Sequence, residues 1–385
     1  MAWSRKESRG RATLCSNNPM GRSKLDRGQR KPASLLLALL GSVVFAVAPA
    51  RVASACASGQ LPALAVPHAI YDGAFADFSA GEHNEEYVTS ERIRSFERLA
   101  GKRIAWAYFS QNFFAGLSFP RAPVMTIWRS SAVPVIRLMP WSAQVENSPE
   151  PTFTLERIAL GDYDTPLRRW GHEAAASGIP LVVEFGPEVN GDWFPWNGLY
   201  HGGATQTVEG PVGPATFRAA YRRVVTDIRS GGARNVEFAF HVEDYSEPEA
   251  SWNEPALYYP GDGYVDWVGL SIYGDPPVQP FSEALDDAYA QLSEFAPRKP
   301  VAIFEFAAPQ SIGGRAKAAW IRGAFATLTS GHYSRIHAAS WWDESYREGG
   351  GVYDYRINSS PVALHAYRAG VRSGEMLSRP QVACR

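Results

Sequence analysis

The chain has 385 residues, 45% of them hydrophobic, with a formal net charge of −1; that composition builds a large buried core and excludes a disordered chain. Residues 1–55 hold ten Lys or Arg against two acids, +8, which leaves −9 for the remainder. A globular part of that sign excludes nucleic acid and an anionic membrane surface as its partners.

The basic N-terminal part runs into an apolar stretch over 33–48 and then Ala53-Ser54-Ala55. The stretch is short for a membrane span, which takes roughly 20 residues. Residues 1–55 therefore read as a signal peptide with a long basic leader, and Met20 offers a start that would shorten it. The protein is expected to be exported, extracellular or periplasmic. Cys15 would leave with the signal. Cys56 follows the cleavage pattern and Cys384 is next to last. Two readings stay open for Cys56: an acylated first residue, which would make a membrane the partner, or a disulfide to Cys384. The 12 Trp, 17 Tyr and 19 Phe can fill a core, and can also offer flat platforms to sugar rings.

From about residue 66 onward, strand-like runs alternate with helix-like ones. His68–Phe78 is a first strand, and Val88–Leu99 a helix ended by Gly101. Ile104–Ser110 is a second strand, with helical spacing near 122–130. Val133–Pro140 is a third, and Tyr163–Ser177 a helix stopped by Gly178. Leu181–Phe185 is a fourth. Phe217, Tyr221, Val224, Val225 and Ile228 then share one helical face, closed by Gly231-Gly232. Val236–Val242, Tyr264–Tyr273, Val301–Phe306 and Ile336–Trp342 are strands five to eight. Helices over Phe281–Phe295, Arg315–Thr329 and Ser360–Ala369 follow the last three. Eight strands, each expected to lead into a helix, imply parallel pairing and a closed (β/α)8 barrel, a TIM barrel in the α/β class, forming a single domain over 60–385.

Chemistry in such a barrel collects at the C-terminal ends of its strands. Glu188 follows strand four, in Glu184-Phe-Gly-Pro-Glu-Val-Asn-Gly-Asp-Trp-Phe-Pro-Trp196. Aromatic neighbours can raise a carboxyl's pKa and suit it to a general acid. Glu305 interrupts the apolar strand seven, where an acid without a function is costly to bury. Two carboxyl groups facing each other across a pocket are what glycoside hydrolysis needs. Asn190, Trp193, Trp196, Tyr273, Trp341, Trp342, His241 and Arg137 are the candidate substrate contacts around them. Within that set Tyr273 could bond the Glu305 carboxylate, Arg137 could balance the buried acids and His241 could reach a hydroxyl. Tyr108 reads equally well as core, and Glu184 could pair with Arg137. The chain has no Cys-x-x-Cys, no His-Glu-x-x-His, no phosphate loop and no Gly-x-Ser-x-Gly, so no metal and no organic cofactor is expected.

Glu188-Val-Asn-Gly-Asp-Trp-Phe-Pro-Trp196 resembles the acid/base motif of glycoside hydrolase family 26, which contains the β-mannanases. The likeness continues in 217–235, in Tyr258-Tyr-Pro-Gly-Asp-Gly-Tyr-Val-Asp-Trp-Val-Gly269, around Glu305 and in Ala339-Ser-Trp-Trp342, and points to a bacterial branch of that family. It implies a (β/α)8 hydrolase that cleaves a β-linked polysaccharide with retention, by double displacement. Glu188 would be the acid/base, Glu305 the nucleophile, Tyr273 its hydrogen-bond partner and Trp193 a platform. The partner would be a poly- or oligosaccharide, with no stable protein partner implied. Mannanases of the family usually carry a His before the acid/base and an Arg at the start of that strand; here Pro187 and Glu184 stand there. Another glycan (β-glucan, xylan or a bacterial exopolysaccharide), or a barrel that binds carbohydrate without cleaving it, are the alternatives.

Overall fold

The computed structural model describes residues 56–385 apart from 58, 80–84, 209 and 349. The expected signal peptide, with Met20 and Cys15, lies outside the described residues. Eight parallel strands form a closed barrel: β1 (Ile70–Ala76), β2 (Trp106–Asn112), β3 (Val133–Met139), β4 (Leu181–Phe185), β5 (Val236–Glu243), β6 (Trp267–Tyr273), β7 (Val301–Ala307) and β8 (Ile336–Asp343). Each pairs with the next, and β8 returns to pair with β1.

Helices α1 (Ser90–Ala100), α2 (Arg121–Arg129), α3 (Asp164–Ser177) and α4 (Val212–Ser230) follow the first four strands. In α4, Phe217, Tyr221, Val224, Val225 and Ile228 are buried together, the face that the spacing predicted. The fifth crossover departs from expectation: its helix α5 is one turn, Pro255–Tyr258. Pro248, Pro255, Pro260, Gly261 and Gly263 punctuate that segment and leave no uninterrupted run for a longer helix. Helices α6 (Phe281–Phe295), α7 (Gly314–Leu328) and α8 (Pro361–Val371) complete the ring.

The barrel interior is filled by aromatic side chains. Trp106 donates through Nε1 to Ser340 Oγ at 2.6 Å and stacks on Phe304, centroids 5.9 Å apart. Gly73 makes room for it: a Cβ there would lie 1.8 Å from Trp106 Nε1. At the N-terminal end of the barrel, Pro62–Leu64 pairs antiparallel with Val382–Cys384, and Cys56 is disulfide-bonded to Cys384. The Cys56 sulfur is thus taken up by the disulfide and is not free to carry a lipid. Arg385 reaches 2.7 Å from the buried Glu237. Among the described residues no helix is long and apolar enough to cross a membrane.

Candidate active site

The chain leaves β4 through Gly186 and Pro187 and enters Glu188 with φ +52°. A non-glycine residue rarely adopts that left-handed backbone, which costs on the order of 1 kcal/mol or more. The loop that follows is clamped hard enough to hold it. Trp196 Nε1 donates to Pro187 O at 2.7 Å. Asn197 Nδ2 donates to Val189 O at 2.9 Å. Asn190 Nδ2 donates to Glu243 O and Tyr245 O, and Asn190 Oδ1 accepts from Glu243 N at 2.8 Å. The loop after β4 is thereby fastened to the loop after β5. Gly191 lets Trp193 fold back over this turn, since a Cβ there would lie 2.2 Å from the indole.

Glu188 consequently points into the mouth, 6% exposed. Its Oε2 accepts from Trp193 Nε1 at 3.0 Å and its Oε1 from Ser271 Oγ at 2.5 Å. Glu305, 3% exposed, sits opposite on β7. Tyr273 Oη donates to its Oε2 at 2.6 Å and Tyr108 Oη to its Oε1 at 3.2 Å, with Arg137 Nη2 3.4 Å from the latter oxygen. One carboxylate oxygen of Glu188 and one of Glu305 lie within 4.8 Å of each other, and a ring nitrogen of His241 lies within the same distance of both.

Burial pushes the Glu305 carboxyl up to about 7, and Glu188 adds to this, while Arg137, His241 and the Tyr273 bond pull it back. Burial, then the Glu305 charge, keeps Tyr273 a neutral phenol that can only donate to that carboxylate. Tyr108 is held neutral by burial and by Glu184 and Glu305.

Arg137 lies among the acids: Nη1 is 2.8 Å from Glu85, Nε 3.6 Å from Glu184 and Nη2 beside Glu305. The register puts Arg137 and Glu184 side by side on β3 and β4. Tyr108 Oη also donates to Glu184 Oε1. Glu188, His241 and Glu305 are the groups whose spacing a divalent cation could bridge. However, His241 Nδ1 already contacts Glu184 at 3.0 Å and Nε2 contacts Ser271 Oγ at 2.8 Å, so an ion would have to displace one of them.

Four of the expected substrate contacts have their polar side-chain atoms bonded within the protein. Asn190 is fully buried, with its polar atoms bonded to the two loops. Trp196 lies beneath the loop, stacked on Phe194 at 4.4 Å. Trp341 faces outward to the helices, against Trp320 of α7 and Tyr367 of α8, and donates to Tyr355 O. His241 has both ring nitrogens engaged inside the barrel, by the Glu184 carboxylate and the Ser271 hydroxyl. Trp342 does point toward the mouth, but it is 5% exposed. Phe75 stacks on its ring at 4.0 Å, and the Arg137 guanidinium lies 5.1 Å from the ring centre. Trp193 remains half-buried beside Tyr245, 6.1 Å away, as an aromatic wall next to Glu188.

Ser271 and Glu243 were not anticipated. Ser271 gives no signal except its place two residues before Tyr273, on the same face of β6. Glu243 ends β5, and burial with the Glu188 and Asp244 charges pushes its carboxyl well up.

Residues 163–315 match the sequence model of glycosyl hydrolase family 26. The matched stretch contains Glu188, Tyr273 and Glu305. Endoglucanase H of Acetivibrio thermocellus is 29% identical over 289 residues, 73% of this chain.

The chain resembles glycosyl hydrolase family 26.

Only 29% of the length of that endoglucanase is spanned. Among solved structures, the Bacillus subtilis mannanase BCman superposes with a TM-score of 0.56 at 15% identity, over 82% of this chain and 88% of its own. A β-mannanase of family 26 from Bacteroides ovatus gives 0.55 at 16% identity, over 80% and 90%. At these identities the two structures speak for the (β/α)8 barrel fold alone.

Proposed function

We propose that the chain is a retaining β-glycoside hydrolase of family 26 type, acting on a β-linked polysaccharide with Glu188 as acid/base and Glu305 as nucleophile. The observation that carries this reading is the pair of buried carboxyls whose nearest oxygens are within 4.8 Å. Retaining pairs stand about 5–5.5 Å apart, whereas an inverting pair needs roughly 6.5–9.5 Å to admit a water. The donor sets support the roles. Tyr273, Tyr108 and the Arg137 cation converge on Glu305 and favour its ionised form, as a nucleophile requires.

In the first step Glu305 attacks the anomeric carbon. The glycosidic C–O bond breaks, its electron pair stays with the leaving oxygen, and Glu188 protonates that oxygen. In the second, water attacks the anomeric carbon of the glycosyl–Glu305 ester while Glu188 takes a proton from the water; the bond from that carbon to the Glu305 oxygen breaks and Glu305 leaves as carboxylate.

The relatives named above are an endoglucanase and mannanases, which supports a β-linked hexose polymer, mannan first and β-glucan second. The Cys56–Cys384 disulfide supports export to an oxidising compartment. Reducing-end release from β-mannan, mixed-linkage glucan and xylan, with Glu188→Gln alongside, tests the reading. Release from one glycan that is lost in the variant is expected. Binding of a glycan without release from any would favour a carbohydrate-binding barrel instead.

A pH effect follows from Arg137. Activity should fall as pH drops through about 7 and Glu305 takes up its proton. Arg137→Gln removes a cation that pulls the other way, so the acidic limb of kcat/KM should move up by about 1–3 pH units. A pH–rate profile checks this, with thermal unfolding to monitor the loss of the Glu85 and Glu184 contacts.

A further inference from the structure

Glu184, His241 and Ser271 lie on the neighbouring strands β4, β5 and β6 and are fully buried or nearly so. Glu184 Oε2 is 3.0 Å from His241 Nδ1, His241 Nε2 is 2.8 Å from Ser271 Oγ, and Ser271 Oγ donates to Glu188 Oε1. Carboxylate, imidazole and hydroxyl in line is the order that activates a serine in hydrolases. Here the hydroxyl ends on a carboxylate, which would repel an oxyanion formed at Ser271. The serine is therefore a link and not a nucleophile.

We infer that Glu184, His241 and Ser271 form a positioning relay that steadies the Glu188 carboxylate once its proton has gone to the leaving oxygen. This rests on the reading of Glu188 as acid/base. The groups facing His241 are Glu184 on β4, Glu188 after β4, Glu305 on β7 and the Tyr108 hydroxyl on β2 at 3.4 Å, with the Phe304 ring 5.1 Å away. Arg137 on β3 is the opposing cation, beyond Glu184. Burial disfavours the imidazolium, yet the three carboxylates outweigh it and hold His241 up.

As a cation, His241 donates from both nitrogens, Nδ1–H to Glu184 and Nε2–H to Ser271. The Ser271 hydroxyl proton is then left to point at Glu188. No proton leaves His241 during the cycle. Glu188 loses its proton to the glycosidic oxygen in the first step and regains one from water in the second. The relay is a fixed donor throughout. It also accounts for Glu184, an acid where the resembled family carries a base: it anchors the imidazolium.

The test compares Ser271→Ala, His241→Gln and Glu184→Gln with wild type, on an unactivated oligosaccharide and on an aryl glycoside whose leaving group needs no proton. Each variant removes support from the ionised form of Glu188, so the proton is held to higher pH. The alkaline limb of kcat/KM is expected to move up by about one pH unit. The oligosaccharide should lose roughly 10- to 100-fold in kcat/KM, and the aryl glycoside less than about threefold. Ser271→Thr should restore the limb, and Tyr273→Phe should leave it in place. An unmoved limb, or equal losses on both substrates, would overturn the relay. Glu188→Gln is measured alongside. If it is inactive on the oligosaccharide while the Ser271→Ala limb is unmoved, only the relay fails. If it keeps wild-type activity, the acid/base reading fails and the relay falls with it.

Discussion

Glu305→Gln is expected to lower kcat/KM by on the order of 10⁴–10⁶-fold, the loss that follows removal of one member of a covalent catalytic unit. The carboxylate has no substitute nearby. Glu188 serves the leaving oxygen, Glu184 is tied to His241 and Tyr108, and burial pushes the Glu243 carboxyl well up. Gln keeps the volume and an oxygen for Tyr273, so the fold should survive, and a circular-dichroism melt checks that. The smaller Glu305→Ala opens space for an external nucleophile. With azide and an activated glycoside it should regain turnover and yield a glycosyl azide of inverted anomeric configuration. Near-wild-type activity in the Gln variant would remove Glu305 from the chemistry.

Glu188→Ala should separate the two steps. With an unactivated glycan, loss of the acid is expected to cost about 10²–10⁴-fold. With an aryl glycoside of good leaving group the first step needs no proton and should proceed. The glycosyl-enzyme then accumulates for lack of a base, which appears as a burst of phenol followed by slow turnover. Azide needs no base and should speed the second step, giving a glycosyl azide of retained configuration. Equal losses on both substrates, with no burst, would point to a structural role for Glu188.

The two carboxylates were readable because each breaks an apolar strand or ends one, where burial without purpose is costly. The barrel was readable because strand and helix periods alternate along the chain. What could not be read is which way individual side chains face. Trp341 and Trp342 are adjacent on β8, so the pleat sends them to opposite sides of the sheet. The sequence does not say which one meets the mouth. Asn190 and Trp196 lie in a loop with no period at all, and only the folded turn reveals that they hold Glu188 in its left-handed backbone. Ser271 is a small polar residue that many strands contain. Its importance comes from β5 and β4, which bring His241 and Glu184 into line with it from 30 and 87 positions away.

The most direct test of the central claim is the anomeric proton spectrum of the first product released from a β-linked oligosaccharide, recorded before mutarotation. The account predicts that the β anomer appears first and the α anomer grows in later. An α anomer appearing first would mean inversion, and would contradict a covalent role for Glu305.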